Sequence, residues 1–321
     1  MTKAANSRTA ARVRRGPSVD ANVFALVGPT ASGKTEASLE LAHRLGAEIL
    51  VVDSMTVYRG MDIGTAKPSP EQRDQIRHHL VDVSDPAEPF SVAQFQSLAL
   101  RALDEVAARG HAALLVGGSG LYFRAVVDEL TFPGTDPSLR RVLEAEAEVF
   151  GGERLHARLA SVDPTAAGKI PPSNVRRTVR ALEVAALTGR PFSSFGERWD
   201  RYLPDRVRAA GVSPPADSLD ARIRARVNRM LEGGLIEEVR SLLARGAGSF
   251  LTASQAIGYL EVVEHLRGRL TMDEVVDRTV RRTRDLARRQ MAWFRRDPRI
   301  RWFETDDAAA SVDEIEDYLR G

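Results

Sequence analysis

The residues that decide the fold of this chain are Val23-Phe24-Ala25-Leu26-Val27-Gly28-Pro29-Thr30-Ala31-Ser32-Gly33-Lys34-Thr35. They begin with a short apolar run of β-forming residues, which predicts a buried strand that ends at a glycine. From Gly28 to Thr35 the sequence matches the pattern G-x-x-x-x-G-K-T. Ala37, Leu41 and Leu45 then recur at helical spacing, so a helix is expected from Ser32 to Leu45.

This pattern, placed between a strand and a helix, predicts a phosphate-binding loop. Its glycines let backbone N–H groups turn towards phosphate oxygens, and the amino end of the helix adds positive potential. Lys34 supplies a full charge, and the Thr35 hydroxyl can bind Mg²⁺. We therefore predict a di- or triphosphate site with Thr35 as the metal ligand, formed by Gly28, Pro29, Thr30, Ala31, Ser32, Gly33, Lys34 and Thr35.

Strand and helix patterns continue to alternate beyond the loop. Strands are predicted at Glu48 to Asp53, Leu80 to Val83 and Ala112 to Val116, with a helix at Phe90 to Arg109. Strands that alternate with helices favour a parallel sheet covered on both faces. The predicted fold class is α/β: a P-loop parallel sheet flanked by helices, with an all-helical insertion and a helical C-terminal part.

The character of the sequence changes after Pro133. Helical periodicity without a convincing strand extends from Asp136 to Leu187, and loop signals dominate from Pro191 to Asp217. Four helices are then predicted, at Leu219 to Glu232, Leu235 to Arg245, Thr252 to Arg267 and Met272 to Phe294. The expected organisation is a flexible basic tail over 1–22, a catalytic core over 23–134 plus 191–321, and a helical insertion over 135–190.

The composition of the 321 residues bounds the function. There is no cysteine, which excludes disulfides, thiolate zinc sites and catalytic thiols. No apolar run approaches the ~20 residues of a membrane span, and no apolar stretch follows the basic N-terminus as in a signal peptide. A cytoplasmic protein without a membrane partner is expected, and its tail is expected to be inert.

Arginine clusters carry more information than the net charge of +2. Ten arginines lie between Arg278 and Arg301, and Arg176, Arg177 and Arg180 form a second cluster. Such local fields attract phosphate even when the whole molecule is nearly neutral.

The strand after the P-loop lacks the acid that nucleotide hydrolysis needs. P-loop hydrolases hold Mg²⁺ and water with an aspartate at the end of a second apolar strand. Here the strand ending at Val116 runs into Gly117-Gly118-Ser119-Gly120, and the acid that ends a core strand is Asp53. A motor or switch ATPase is therefore disfavoured, and a group-transfer enzyme that binds a diphosphate is favoured.

The sequence closely resembles the tRNA dimethylallyltransferase family of bacterial type, from about residue 23 to 303. Besides the P-loop, eight further blocks occur in the family's order. They are DSMTVYRGMDIGTAKP from Asp53, HHLVD from His78, FSVAQF from Phe90, LVGGSGLY from Leu115, RALEV from Arg180, GLIEEV from Gly234, AIGY from Ala256 and RQMAWF from Arg289.

This resemblance implies a reaction. In the family a dimethylallyl group passes from dimethylallyl diphosphate to N6 of the adenosine 3′-adjacent to the anticodon, in tRNAs that read codons beginning with U. The P-loop is then implied to bind the diphosphate with Mg²⁺ rather than ATP. Asp53 is the implied general base for the weakly nucleophilic amine. Thr30 is implied to touch the diphosphate or the leaving oxygen.

The resemblance also implies residues that clamp the two substrates. Arg222 and Arg226, four apart on one helix face, correspond to arginines that hold the diphosphate, and Lys34 and Arg226 complete the implied catalytic set. Contacts to tRNA are implied for Asp53, Ser54, Met55, Thr56, Ser119, Arg140, Arg176, Arg177, Thr178, Val179, Arg180, Arg288, Arg289, Gln290 and Arg295. Thr56 stands where the family often has glutamine, and Ser119 where it usually has threonine. Pro171-Pro172-Ser173-Asn174 replaces the family's His-Pro-Asn-Asp.

Three alternatives share parts of this pattern. A prenyltransferase acting on free adenine nucleotide has no use for two basic clusters, and a P-loop small-molecule kinase leaves the block from Asp53 unexplained. A tRNA-binding module has no need of Lys34. His78 and His79 are expected to be structural, because no third ligand lies at metal-site spacing. The expected partners are tRNA and dimethylallyl diphosphate, with no obligate protein partner.

Overall fold

A parallel sheet forms the centre of the computed structural model, which describes residues 22–128, 130–196, 201–245 and 256–321. Within these residues the sheet has six strands in the order β3-β2-β4-β1-β5-β6, all paired in parallel. The strands are β1 (Val23–Val27), β2 (Ala47–Val52), β3 (His78–His79), β4 (Ala112–Gly117), β5 (Arg208–Ser213) and β6 (Ile300–Glu304). The predicted α/β class and the parallel sheet are confirmed.

Helices cover the sheet and build the rest of the chain. Among the described residues they are α1 (Lys34–Leu45), α2 (Pro70–Gln75), α3 (Val92–Ala108), α4 (Gly120–Val127), α5 (Pro137–Phe150), α6 (Gly152–Val162), α7 (Pro164–Lys169), α8 (Val175–Thr188), α9 (Ala216–Glu232), α10 (Leu235–Ala244), α11 (Tyr259–Leu266), α12 (Met272–Phe294) and α13 (Val312–Arg320). In the described ranges, no helix is both long enough and apolar enough for a membrane span.

The two faces of the sheet bury different helices because side chains alternate along a strand. On one face Leu26 and its neighbours pack against α1 and α13 through Leu41 and Ile315, all fully buried. On the other face the cluster that contains Ala25 and Leu115 packs against α3, α4 and α12. Buried on both faces, β2 and β4 are apolar along nearly their whole length, as expected for central parallel strands.

The helices α5 to α8 enclose an apolar core of their own. Leu143, Leu155, Leu159 and Leu182 are buried in it, as Val179 is. The segment contains no strand, in agreement with its predicted helical character. α5 begins at Pro137 under an Asp136 cap that accepts the N–H groups of the first turn, and proline suits that first helical position because it has no N–H to satisfy.

Some predicted elements were wrong, and some elements of the structure were not predicted. The strand predicted at Leu80 to Val83 is absent because Leu80 and Asp82 have φ angles of 67° and 57°, which end the extended backbone; pairing is limited to β3. The loop predicted from Pro191 to Asp217 contains β5, a buried strand. The sequence prediction also missed β6, α2, α4 and α13.

Two predictions fall partly or wholly outside the described residues. The tail over residues 1–21 lies outside them, as do residues 252–255 of the helix predicted from Thr252. Within the described part of that helix, Ala256 to Gly258 are not helical, and α11 begins at Tyr259. By contrast, the bounds predicted for α12 are confirmed at both ends.

A buried carboxylate fastens β2 to its neighbours. Glu48 is 4% exposed and accepts hydrogen bonds of 2.8 Å from Nε and Nη2 of Arg109. The ring Nε2 of His79 lies 2.6 Å from the same carboxylate, and the ring Nδ1 of His78 lies 2.6 Å from the Ile76 carbonyl. Both histidines are therefore engaged in structural contacts.

Replacing this carboxylate should destabilise the protein in a pH-dependent way. Hydrogen bonds from Arg109 outweigh burial and, with His79, lower the pKa of Glu48 from 4.5 to about 2. Ionised Glu48 therefore contributes stability above pH 4.5, and this contribution is lost as the pH falls through 2. We expect Glu48→Gln to lower the free energy of unfolding at pH 7 by about 2 kcal/mol, since the buried residue loses its charge-assisted hydrogen bonds from Arg109. Urea unfolding from pH 7 downwards measures the difference, and a difference that does not shrink in acid would contradict the assignment.

Candidate active site

The P-loop, Asp53 and a glycine pair meet at one edge of the sheet. They follow β1, β2 and β4, whose carboxyl ends align because Val27 and Val52 are both in register with Gly117. A Cβ on Gly117 would lie 2.0 Å from the Val52 carbonyl oxygen, so only glycine allows the strands to approach this closely. In open α/β sheets, ligands bind at this edge.

The P-loop is closed on itself by its half-buried lysine. Lys34 Nζ donates a 2.8 Å hydrogen bond to the Pro29 carbonyl, and Gly33 takes a left-handed conformation (φ 83°) where α1 begins. Burial, and then the positive charge of Arg226, lower the pKa of Lys34 to about 8, against the opposing effect of Asp53. Both charged side chains are therefore close enough to interact with Lys34.

Asp53 caps a turn and also faces open space. Its Oδ1 accepts the N–H groups of Met55 at 2.7 Å and Thr56 at 3.4 Å. Within the part of the chain that the structure describes, its second oxygen has no hydrogen-bond partner. One oxygen thus fixes the orientation of the carboxylate, and the other is available to a ligand.

Two cavities meet at Asp53. The larger has a volume of about 360 Å³ and the smaller, beside Lys34 and Thr35, about 90 Å³. The residues that line both are Thr30, Asp53, Thr65, Arg226 and Gln290. Ser54 and Met55 line the larger cavity, whereas Thr56 is 4% exposed and lines the smaller one. Among the described residues, its Oγ1 is buried without a hydrogen-bond partner, and so is Oγ of Ser32 in the P-loop.

Two arginines of α9 reach the P-loop. Arg226 lines both cavities, and burial lowers its pKa while Asp53 opposes that effect. Arg222 lines a cleft of about 620 Å³ on the outer side of the loop, together with residues 31–36. The structure therefore brings together the lysine, both arginines and the loop that were predicted to bind a diphosphate.

Helix α12 also contacts the P-loop. The N–H of Thr30 donates a 2.8 Å hydrogen bond to Gln290 Oε1. Arg289, one residue earlier, lines the larger cavity. Arg288 is exposed and paired with Asp285 at 2.7 Å, and Arg295 is exposed at the end of the helix.

The residues predicted to contact tRNA in the helical segment fall into two groups. The first group binds buried Glu183, which accepts hydrogen bonds from Arg140 at 2.8 Å and from Arg180 at 2.6 Å. Arg180 also donates hydrogen bonds to the carbonyls of Pro133 and Gly134. Both arginines therefore have structural contacts at the base of the segment. Arg176 and Arg177 lie on the exposed side of α8, Arg176 with a contact of its own.

Two predicted tRNA contacts need a correction. The side chains of Thr178 and Val179 are 0% and 2% exposed, because they lie on the face of α8 that packs into the apolar core. A surface ligand does not reach these side chains. Ser119 lies half-buried just before α4, and its N–H points to the Val52 carbonyl at 3.4 Å.

Sequence reasoning missed the residues that hold the cavity walls. Glu238 of α10 accepts the N–H groups of Asp62, Ile63 and Gly64 at 2.9, 2.8 and 3.3 Å. It also accepts the Tyr259 hydroxyl at 2.5 Å. A Cβ on Gly64 would lie 2.3 Å from the Tyr259 ring, so the loop and α11 require glycine there.

Other missed residues belong to the same walls. Lys67, with a side chain 1% exposed, binds Asp62 at 2.5 Å and Asp82 at 2.6 Å. Arg282 lines the larger cavity and is paired with buried Glu261. For Lys67, Glu238 and Tyr259 the signal was present in the sequence, since these residues belong to the blocks that begin at Asp53, Gly234 and Ala256.

Comparison with known proteins identifies the family to which the chain belongs. The model of the IPP transferase family matches residues 56–297. A tRNA dimethylallyltransferase of Kineococcus radiotolerans is 51% identical over 298 residues, which is 91% of this chain and 93% of the relative. One of Streptomyces coelicolor is 52% identical over 280 residues, 87% and 89% of the two chains.

A solved structure agrees with this assignment. The full-length tRNA isopentenylpyrophosphate transferase of Bacillus halodurans is 42% identical, with a TM-score of 0.69 over 94% of this chain and 96% of its own. Sequence and fold therefore agree over nearly the whole length of both proteins. The chain belongs to the IPP transferase family, and its relatives in Kineococcus radiotolerans and Streptomyces coelicolor are named tRNA dimethylallyltransferases.

Proposed function

We propose that this enzyme transfers a dimethylallyl group from dimethylallyl diphosphate to N6 of the adenosine 3′-adjacent to the anticodon of tRNA, and releases diphosphate. The tRNAs are those that read codons beginning with U. One observation carries the proposal: a P-loop with its cationic residues and a carboxylate with one open oxygen line the same pair of cavities. A diphosphate ester and an amine can therefore meet at Asp53.

The reaction joins N6 to the allylic carbon as the carbon–oxygen bond to diphosphate breaks. Asp53 accepts the proton that the amine loses. Lys34 and Arg226 neutralise the charge that develops on the departing diphosphate, and Arg222 holds it from the outer side of the loop. The adenosine leaves its stack to reach the cavity, because its amine is inaccessible in a stacked anticodon loop.

Mg²⁺ is the metal that these residues fit. The Thr35 hydroxyl lines the smaller cavity and supplies a hard oxygen donor. Mg²⁺ needs few protein ligands because it keeps waters and binds substrate phosphates. When bound at Thr35, it would neutralise charge on the diphosphate. Ser32 has a buried hydroxyl with no hydrogen-bond partner in the described part of the chain, and it offers a further contact to a phosphate oxygen.

The P-loop should bind diphosphate esters but should not support ATP turnover. We expect inorganic diphosphate to compete with dimethylallyl diphosphate, because the cradle recognises the shared diphosphate group. We expect ATP hydrolysis at the background rate, since β4 ends in glycine and not in the aspartate of a hydrolase. Initial-rate inhibition and phosphate-release assays measure both. ATP turnover that Lys34→Ala abolishes would favour the small-molecule kinase.

The tRNA is held by exposed arginines on two elements. Arg288, Arg289 and Arg295 lie on or beside α12, and Arg176 and Arg177 lie on α8. Arg140 and Arg180 stabilise this surface chiefly by pairing with Glu183 at the base of the helical segment. We propose that the enzyme acts in the cytoplasm without an obligate protein partner.

Binding of tRNA should depend strongly on salt through these arginines. Each phosphate contact releases counterions and contributes roughly 0.7 to 0.9 to the log–log slope of affinity against salt. Replacing Arg176 and Arg177 with alanine should reduce that slope by about 1.5 and raise the Michaelis constant for tRNA. Affinity for dimethylallyl diphosphate should not change. Filter binding at several salt concentrations tests this, and an unchanged slope would remove α8 from the tRNA surface.

A further inference from the structure

Gln290 occupies an unusual position between the P-loop and the proposed reaction centre. It belongs to α12, is 9% exposed, and lines both cavities beside Asp53. A buried side-chain amide in such a place must satisfy both its oxygen and its nitrogen, or leave one of them for a ligand.

The backbone decides which way this amide points. The Thr30 N–H can only donate, and its partner is Gln290 Oε1 at 2.8 Å. The oxygen must therefore face the P-loop, and the nitrogen must face away from it. Among the described residues, Nε2 has no hydrogen-bond partner.

The structure makes room for this nitrogen. A Cβ on Gly118 would lie only 2.4 Å from Gln290 Nε2, so the amide fits because residue 118 has no side chain. Asp53 lines the same two cavities, and it presents an oxygen without a partner in the described part of the chain. The junction of the cavities thus offers one acceptor and one donor.

We infer that Gln290 selects the base by donating from Nε2 to the ring nitrogen next to the reacting amine, N1 or N7 of adenine. This inference rests on the proposed function. An adenine edge presents an amine donor beside a ring acceptor, which complements Asp53 and Gln290. Guanine and uracil present a carbonyl oxygen beside an N–H on their pairing edges, which would oppose both groups. Enzymes that flip bases commonly recognise them through such edge contacts.

The test pairs a variant with altered substrates. Gln290→Glu keeps an acceptor for the Thr30 N–H but removes the donor, and Gln290→Met removes both. Each is assayed with wild type on anticodon stem-loops that carry adenosine, 1-deazaadenosine or 7-deazaadenosine at the target position. Each analogue lacks one ring acceptor, so one serves as the control for the other.

We expect wild type to lose ~10- to 100-fold in kcat/KM on one analogue, the usual scale for a good base contact. Gln290→Glu should show an equal loss of kcat/KM on adenosine. It should show no further loss on the analogue that wild type uses poorly. Its affinity for inorganic diphosphate should fall by a smaller factor, because the new carboxylate adds a negative charge to cavities that Arg226 also lines. Losses that multiply on both analogues would overturn the inference. If Gln290→Glu misfolds, Gln290→Met serves in its place. Its kcat/KM should likewise not change when the ring acceptor is removed from the substrate. No transfer by wild type to adenosine would instead refute the proposed function.

Discussion

Asp53→Asn should lower the single-turnover rate of prenyl transfer by ~10²-fold or more, the scale expected for a positioned general base. The amide can still accept the N–H groups of Met55 and Thr56 through one oxygen, as the Asp53 carboxylate does at 2.7 and 3.4 Å. The turn after β2 should therefore persist. What is lost is the oxygen that accepts the proton from the amine. Rapid-quench measurement with saturating tRNA and dimethylallyl diphosphate isolates this step.

Binding provides the control for this variant. Affinity for tRNA should change little, because α8 and α12 carry most of the phosphate contacts in the proposal. Affinity for dimethylallyl diphosphate should hold or increase, since a negative charge near Lys34 and Arg226 has been removed. A rate within threefold of wild type would show that Asp53 only caps the turn.

Lys34→Ala should lower the rate by ~10²- to 10³-fold, as removal of one donor to a developing anion does in other enzymes. Lys34 is the half-buried cation of the P-loop, and its Nζ closes the loop through the Pro29 carbonyl. The variant therefore loses both a charge on the leaving group and a contact that shapes the loop. Affinity for diphosphate should fall as well, whereas affinity for tRNA should not.

Lys34→Arg separates the two effects. It keeps the cation but changes its shape and reach, so it should recover part of the diphosphate affinity and less of the rate. Equilibrium binding of inorganic diphosphate and single-turnover rates, measured on the same preparations, give both quantities. An alanine variant that binds diphosphate as tightly as wild type would exclude the P-loop as the diphosphate site.

Local patterns predicted the parts of the fold whose signals are local. The P-loop, its flanking elements and the bounds of α12 follow from periodicity and capping, since Thr271 and Glu274 form a capping box that marks where the helix begins. β5 (RAAGVS) was missed because alanine and glycine dominate it. Its strand state depends on pairing with β1 and β6, which no local pattern reveals.

The site was predictable only where residues reveal their chemical role in the local sequence. The P-loop and Asp53 do so, and the structure places them around shared cavities. Contacts between distant elements do not, such as that of Gln290 with Thr30 across 260 positions. Resemblance named Gln290 and Arg180 as tRNA contacts but could not show that the first holds the P-loop or that the second binds Glu183.

The most direct measurement follows the prenyl group itself. The protein is incubated with Mg²⁺, labelled dimethylallyl diphosphate and, separately, unmodified tRNA, AMP or ATP; the tRNA is then digested to nucleosides and analysed by mass spectrometry. The account predicts label on N6 of the adenosine 3′-adjacent to the anticodon, diphosphate release in equal amount, and no label on either nucleotide. Label on AMP or ATP with unmodified tRNA, or phosphate transfer from ATP in place of prenyl transfer, would contradict it.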